Sequence, residues 1–294
     1  MIVVTTPTGQ IGSRVLGTLL ESGEPVRVIV RDPARLADDV RERVEIVKGS
    51  HGDPGVVNEA FAGADTVFWL VAANPRAESL EATFVDFTRP ACEAFEKQGV
   101  ARVVGVSALG RGVTKNAGHV SASHAMDALI SGTGVSYRAL TMPSFMDNLL
   151  WQAGPIGKDG VFFGPVSGDR EAPTCAIRDI AATAARLLLD PSWHGVADVP
   201  VLGPEDLSQN DLAEIMSEVL GRPVRYQRVP MEDFRATQLG HGQSEAIAQG
   251  MVDMMAAKEA GLDNAEPRTP EATTPTTFRQ WCEEVLKPAV VSGS

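Results

Sequence analysis

The stretch Thr5-Thr6-Pro7-Thr8-Gly9-Gln10-Ile11-Gly12 carries the most legible chemistry in the chain. It follows the apolar run Ile2 to Thr5 and opens a segment in which Ile11, Val15, Leu16, Leu19 and Leu20 recur at helical spacing. Strand, glycine-bearing turn and helix in that order bring free N–H groups and the positive end of a helix dipole to one point. A pyrophosphate is held there, and glycine lets it approach the backbone. Against the pattern G-x-x-G-x-x-G the loop keeps Gly9 and Gly12 and has Thr6 where the first glycine would stand. The alternative is a tight strand-to-helix turn that binds nothing. A second candidate is Arg31, which closes the next apolar run, Val26 to Val30, and is followed by Asp32, Pro33 and Arg35. An acidic residue at this place would take the ribose 2′-hydroxyl of NAD, whereas an arginine pairs with the 2′-phosphate of NADP. Arg31 favours NADP(H) over NAD(H), the alternative being a solvated arginine beside Asp32.

The elements that must position these residues are readable from apolar patterning. Five nearly continuous runs, Ile2 to Thr5, Val26 to Val30, Val44 to Val47, Thr66 to Val71 and Arg102 to Val106, predict strands buried on both faces. They alternate with amphipathic stretches, the pattern of a parallel sheet wrapped by helices. A sixth strand is expected around Val135 to Leu140, after a helix carrying Ala125, Met126, Leu129 and Ile130. Beyond residue 150 the rhythm changes. Gly154 to Gly168 reads as loop and short hairpin, Ile177 to Leu189 as helix, and Val199 to Leu202 as a short strand. Ser208 with Asp211 gives an acidic capping box. Helices are expected over 232–239 and 244–260, a Pro- and Thr-rich crossing over 264–277, and a last helix over 277–286. The expected domains are 1–150 for the sheet and 151–294 for a smaller lobe, with segments near 174–205 returning to the first.

Composition narrows the function classes. The chain has 294 residues, and its 26 Lys+Arg against 38 Asp+Glu give a net charge of −12, which disfavours nucleic acid and anionic lipid as partners. Cys92, Cys175 and Cys282 lie far apart with no CxxC pair, so neither a disulfide framework nor a zinc ribbon is expected. The longest apolar run, Thr66 to Ala73, is far short of the roughly 18 residues of a membrane span. Met1 leads straight into Ile2-Val3-Val4 with no room for a signal peptide, so a cytoplasmic location is expected.

Together with the phosphate loop and Arg31, the runs Ser107-Ala108, Tyr137 to Leu140 and Met142-Pro143-Ser144-Phe145-Met146-Asp147-Asn148 resemble the NmrA-like family, atypical members of the short-chain dehydrogenase superfamily. The likeness continues in Ile177-Arg178-Asp179-Ile180-Ala181, Gly203-Pro204-Glu205 and Leu220-Gly221-Arg222-Pro223-Val224. The resemblance implies a Rossmann-like doubly wound parallel sheet that binds NADP(H), with a smaller C-terminal α/β lobe and the substrate in the cleft between them. By position, Thr8, Gly9, Gln10 and Ile11 would contact the pyrophosphate and Arg31 the 2′-phosphate. Ala72, Ala73 and Asn74 would meet the ribose or nicotinamide, and Ser107, Pro143, Ser144 and Phe145 would line the nicotinamide end. Where the family commonly has Gly-Asp after the third strand, this chain has Gly49-Ser50, with Asp53 close by. The superfamily's Tyr-x-x-x-Lys pair is missing. Tyr137 lies at the wrong spacing, and Ser123 stands where many relatives keep the lysine.

The candidates left for proton chemistry at that end are Ser107, His119, Ser123, His124 and Asn148. A histidine near its reference pKa can donate a proton at neutral pH, and His124 is the better placed; its alternative role is to cap or pack a helix start. His119 and His124 do not share a helix face, and a metal is not expected. A quinone tolerates this loss, because its reduction gives a delocalised anion that takes a proton from water. Phe145, Met146, Trp151, Phe162 and Phe163 could form a flat apolar wall for an aromatic substrate. Met251, Met254 and Met255 share one helix side and would serve core packing, an adaptable pocket or a homodimer seam. The expected function is NADPH-dependent reduction of quinones or related conjugated aromatic carbonyls. The alternative is a non-catalytic NADP(H)-binding sensor that acts through a protein partner.

Overall fold

In the structure, a computed structural model describing residues 1–113 and 115–292, the apolar runs become strands β1 (Ile2–Val4), β2 (Val26–Val30), β3 (Glu45–Lys48), β4 (Thr66–Trp69), β5 (Arg102–Ala108) and β6 (Ser136–Met142). Between them run α1 (Gln10–Ser22), α2 (Asp38–Arg41), α3 (Pro54–Ala60), α4 (Phe87–Gln98) and α5 (His119–Ser131). Then come β7 (Ser144–Phe145), α6 (Ala153–Asp159), β8 (Val161–Gly164), β9 (Ala172–Cys175), α7 (Ile177–Leu189) and β10 (Val196–Pro200). The remainder holds β11 (Asp206–Leu207), α8 (Gln209–Leu220), β12 (Arg225–Arg228), α9 (Met231–Gly240), α10 (Glu245–Glu259), α11 (Phe278–Trp281) and α12 (Lys287–Ser292). No helix among the described residues is long and apolar enough to cross a membrane.

The chain divides into two units. The first comprises Met1–Ala108, Ser121–Thr141 and Ile180–Val199, and the second Leu109–Val120, Met142–Asp179 and Pro200–Ser294. The first is built on a seven-stranded sheet of order β10-β6-β5-β4-β1-β2-β3. β1 runs parallel to both β2 and β4, with Val3 opposite Arg27 and Val67, and β2–β3 and β4–β5 are parallel as well. This is a Rossmann-like doubly wound sheet. The chain winds outward from β1 to β3 and then returns to β1's other side as β4, so the switch point lies at the carboxyl ends of β1 and β4. Burial on both faces explains the apolar runs: Val3, Ile29, Val67, Trp69, Val103 and Tyr137 meet Phe61, Phe95, Met126 and Ile130 in one core. Helix α1 buries Ile11, Val15, Leu16, Leu19 and Leu20 and stops at Gly23, whose φ of 78° suits a left-handed cap.

In the second unit β9 pairs in parallel with β7 and antiparallel with β11, and β8 pairs in parallel with β12. This corrects the expectation of a loop and short hairpin over Gly154 to Gly168. The segment is α6 followed by a strand whose partner lies some sixty residues on, because Ile156 and Phe162 bury against Leu212, Met216, Phe278, Trp281 and Leu286. The strand expected over Val199 to Leu202 ends at Pro200, while Leu202 instead bridges to Thr273. That bridge anchors the Pro- and Thr-rich crossing, with Leu202 N–H donating to Ala272 O at 2.8 Å and Thr274 N–H to Leu202 O at 2.7 Å. The capping box of Ser208 and Asp211 forms in full.

The tightest point in the first unit lies between α1 and the loop before it. A Cβ on Gly12 would stand 2.2 Å from the Thr6 carbonyl oxygen, and Thr6 itself takes φ 51°, the left-handed region that costs an L-residue about 1–2 kcal/mol. Gly12→Ala is expected to cost at least about 2 kcal/mol in urea unfolding, since backbone cannot move aside as a flexible side chain does. Thr6→Gly removes both the strain and a buried hydroxyl while adding unfolded-state entropy, and is expected not to destabilise the fold in the same assay.

Candidate functional site

Thr5 fixes the end of β1 to β4. Its hydroxyl donates to Phe68 O at 2.9 Å and accepts from Leu70 N–H at 3.0 Å. The chain then turns through Thr6, with Gly9 N–H donating to Thr6 O at 2.9 Å, and Gly9 becomes the N-cap of α1 in extended geometry. Glycine offers no capping side chain, so the first N–H groups of α1 remain available to a ligand. A Cβ at Gly9 would sit 3.3 Å from Thr6 O, so this position and Gly12 keep the cradle open and close to the backbone. The Thr6 hydroxyl is buried with no hydrogen-bond partner among the described residues. A buried orphan hydroxyl costs about 1–3 kcal/mol, and a phosphate oxygen in the cradle would satisfy it. Thr8 is half-buried and Gln10 exposed at the mouth of this loop.

Arg31 follows β2 and is exposed, with no hydrogen bond or ion pair among the described residues. The neighbouring Asp32 is turned away to the backbone, where Oδ1 accepts from Ala34 N–H at 3.1 Å and caps the turn Pro33–Arg35. After β3, Ser50 is half-buried and its hydroxyl accepts from Gly52 N–H at 3.3 Å. Asp53 is occupied as the cap of α3, accepting from Gly55 and Val56 N–H at 2.8 and 3.1 Å. Between them His51 is packed edge-on against Trp69 (5.2 Å) and Phe87 (4.8 Å), and its Nε2–H donates to Leu70 O at 3.0 Å. Burial pushes its pKa from 6.5 down to about 4, with the Leu70 bond opposing and the charge of Arg31 adding to the fall. Sequence reasoning passed over His51, although a histidine following the third strand was visible. Ala72, Ala73 and Asn74 lie exposed after β4, and Asn74 Oδ1 accepts from Arg76 N–H at 3.0 Å.

At the carboxyl end of β5 the structure brings Ser107 and Ser123 together, with hydroxyls 3.4 Å apart. It adds two residues that sequence reasoning did not assign to the site. Asp127 on α5, only 4% exposed, accepts from the Ser107 hydroxyl on Oδ2 and from the Tyr137 hydroxyl on Oδ1 at 2.6 Å. Gly105 makes room for the phenol, since a Cβ there would lie 2.2 Å from Oη. The available signal was an aspartate four residues after Ser123, on a helix face otherwise carrying Met126 and Ile130. His124 is half-buried and its Nε2–H donates to Ala108 O at 3.0 Å, which leaves Nδ1 as the nitrogen that exchanges a proton.

Pro143, Ser144 and Phe145 belong to the second unit. Pro143 is buried, and Ser144 and Phe145 are half-buried in β7, opposite Thr174 and Cys175. The aromatic wall is corrected in part, because Met146 and Phe162 are core residues there, while Trp151 is 86% exposed. His119 is also in this unit, its Nε2–H donating to Ile247 O at 3.3 Å. Met251, Met254 and Met255 are half-buried on α10. Among the described residues no group of three or more His, Cys, Asp or Glu could hold a metal ion.

The fold and this loop define a Rossmann-like α/β protein with a tight, glycine-bearing turn at the switch point of its sheet. The chain belongs to the NmrA-like family, whose model matches residues 1–282. It is 30% identical over 266 residues to an NAD(P)H azoreductase of Xenophilus azovorans, covering 87% of this chain and 86% of the relative. Among solved structures it resembles a nucleoside-diphosphate-sugar epimerase from Staphylococcus aureus, with a TM-score of 0.83 and 20% identity over 96% of this chain and 99% of that one. It also resembles an NADPH-dependent quinone oxidoreductase from Escherichia coli complexed with NADPH, with a TM-score of 0.78 and 22% identity over 99% of each chain. These two likenesses concern the fold, which by itself does not select a chemistry.

The low pKa of His51 gives stability a pH dependence. The unfolded chain binds this proton near pH 6.5 and the folded one only near pH 4, so the contribution is complete above pH 6.5 and is lost as pH falls towards 4. The span amounts to about 3 kcal/mol. Urea unfolding of the wild type is expected to weaken by that order between pH 7 and 4, and His51→Gln should flatten this part of the slope.

Proposed function

We propose that this chain is an NADPH-dependent oxidoreductase that passes hydride to quinones or related conjugated aromatic acceptors. The observation that carries the reading is the tight turn of Thr6, Gly9 and Gly12 after β1 together with the exposed guanidinium of Arg31 after the neighbouring β2, unpaired among the described residues. The first suits a pyrophosphate and the second a 2′-phosphate. A dihydronicotinamide, when bound, supplies two electrons and a proton as hydride. Family membership and the azoreductase relative support a conjugated aromatic acceptor.

The residues at β5 fit such an acceptor because they offer little acid. Tyr137 and Ser107 both direct their hydroxyl protons to Asp127, and Ser123 stands where a lysine would be expected. A ketone reductase needs a positioned acid to protonate the alkoxide as it forms. A quinone accepts hydride to give a stabilised phenolate, which takes a proton from water, or from Nδ1 of His124 when that ring is an imidazolium, completing the hydroquinone. The protein's task is then to hold donor and acceptor in register.

Titrating NADPH into the protein while following nicotinamide fluorescence, then adding a panel of quinones, tests both halves. Binding followed by NADPH consumption above a protein-free control is expected, whereas binding without consumption would favour a dinucleotide sensor. Arg31→Ala is expected to weaken NADPH by about 1.5–3 kcal/mol, the worth of a charge-assisted hydrogen bond, and to leave NADH nearly unchanged. Equal effects on the two would remove Arg31 from the site.

A further inference from the structure

The group around Asp127 is more than a satisfied buried acid. Asp127 is 4% exposed and Ser107 7%, so the carboxylate sits away from water between β5 and α5. Two hydroxyls of the group, those of Ser107 and Tyr137, are directed at it. Tyr137 donates to Oδ1 and Ser107 to Oδ2, and with its own proton so used, Ser107 receives rather than gives in its contact with Ser123. With one O–H donor directed at each of its oxygens, the carboxyl group is in the arrangement that supports its ionised form. Room for it is built into the strand, where Gly105 lacks the Cβ that would displace the Tyr137 phenol.

Ser107 is the last residue but one of β5, the strand beside β4, so the charge lies at the carboxyl edge of the sheet, where ligands of doubly wound folds bind. At the other end of the same edge stand the N-terminus of α1 and Arg31, both positive. A dinucleotide with its phosphates at the positive end presents its nicotinamide towards the negative one. The nicotinamide ring is cationic when oxidised and neutral when reduced.

We infer that the buried Asp127 carboxylate, held ionised by Ser107 and Tyr137, favours the oxidised, cationic dinucleotide over the reduced one and so makes bound NADPH a stronger hydride donor. The inference rests on the function proposed above and deepens it. Asp127 acts through its field and through the orientation it imposes on Ser107, and is a tuning residue rather than a catalytic one. A charge in a low-dielectric surrounding acts over several ångströms without contact.

The test is a pair of dissociation constants, for NADP+ and for NADPH, measured at pH 7 by calorimetry or fluorescence, with circular dichroism to establish folding. Asp127→Asn keeps the shape and can still bond both hydroxyls. It is expected to raise the Kd of NADP+ at least five-fold and that of NADPH less than two-fold, so that the ratio moves and the bound couple becomes more oxidising. Ser123→Lys neutralises the carboxylate by a second route, from four residues earlier on the same helix, and should move the ratio the same way. Tyr137→Phe leaves the carboxylate with the Ser107 donor and should move the ratio less than Asp127→Asn does. A structural role alone would weaken both forms together. Parallel rises in the two constants, or an unmoved ratio in a folded Asp127→Asn or Ser123→Lys protein, would overturn the inference while leaving the proposed function intact. A wild-type protein that binds neither dinucleotide would remove the proposed function and this inference with it.

Discussion

The approach of α1 to the Thr6 carbonyl is the contact on which the site depends. Only a glycine at position 12 lets the helix come so near, since a single added carbon would lie 2.2 Å from the oxygen. That closeness sets the chain between β1 and α1 in a turn too tight for ordinary backbone, and Thr6 takes the left-handed conformation a glycine would adopt more cheaply. In exchange the first N–H groups of α1 are aimed at the carboxyl end of β1, and the hydroxyl of Thr5 locks that end to β4. The other site residues are then placed by strand order alone. β2 beside β1 delivers Arg31, and β4 followed by β5 delivers Ser107.

A chain with a net charge of −12 must arrange its acids carefully to hold a polyanion. The carboxylates nearest in sequence to the phosphate-binding elements are occupied by local backbone, Asp32 capping one turn and Asp53 capping α3. Their charge is thereby attached to helix starts, where it is offset by the N-terminal partial charge. Arg31 is left as a cation without a partner among the described residues, and its field reaches far enough to help keep His51 neutral. The carboxyl edge of the sheet therefore carries the guanidinium of Arg31 at one end and, on the inference above, a carboxylate at Asp127 at the other. A total charge conceals this pattern, because what a ligand meets is the local arrangement.

Most of the fold was legible because it rests on burial. Strands enclosed on both faces must be apolar throughout, and a helix laid over them must repeat at 3.6 residues, so the first hundred residues announce their elements directly. The tight turn between β1 and α1 was legible for a related reason, since glycine spacing reflects a steric demand that few other residues meet. What escaped was set by pairings distant in sequence. Parallel pairing of β8 with β12 leaves no local mark in Gly154 to Gly168, whose Gly and Pro residues resemble turn formers in isolation. The meeting of Asp127 with Tyr137 and Ser107 needed β5, β6 and α5 in place. Read singly, Tyr137 showed only that it lacked the lysine of a familiar pair, and Met146 and Phe162 passed for wall residues because an apolar side chain looks alike in a pocket and in a core.

The disposition of protons at β5 bears on which reductions the chain can perform. A group that already donates its proton to a buried carboxylate cannot readily give it to a substrate, since the carboxylate would lose a bond for each one transferred. Tyr137 and Ser107 are both in that position. His124 has one N–H fixed on Ala108 O and only Nδ1 free to exchange. A site so arranged favours acceptors whose reduced form is stable as an anion, and a conjugated aromatic carbonyl is one, because the incoming electron pair spreads over the ring. A buried carboxylate beside a bound nicotinamide would act in the same direction, since it would lower the energy of the oxidised, cationic form. On the proposed function, weak acid and strong donor are two consequences of one hydrogen-bonded group, and the missing tyrosine and lysine select the substrate class.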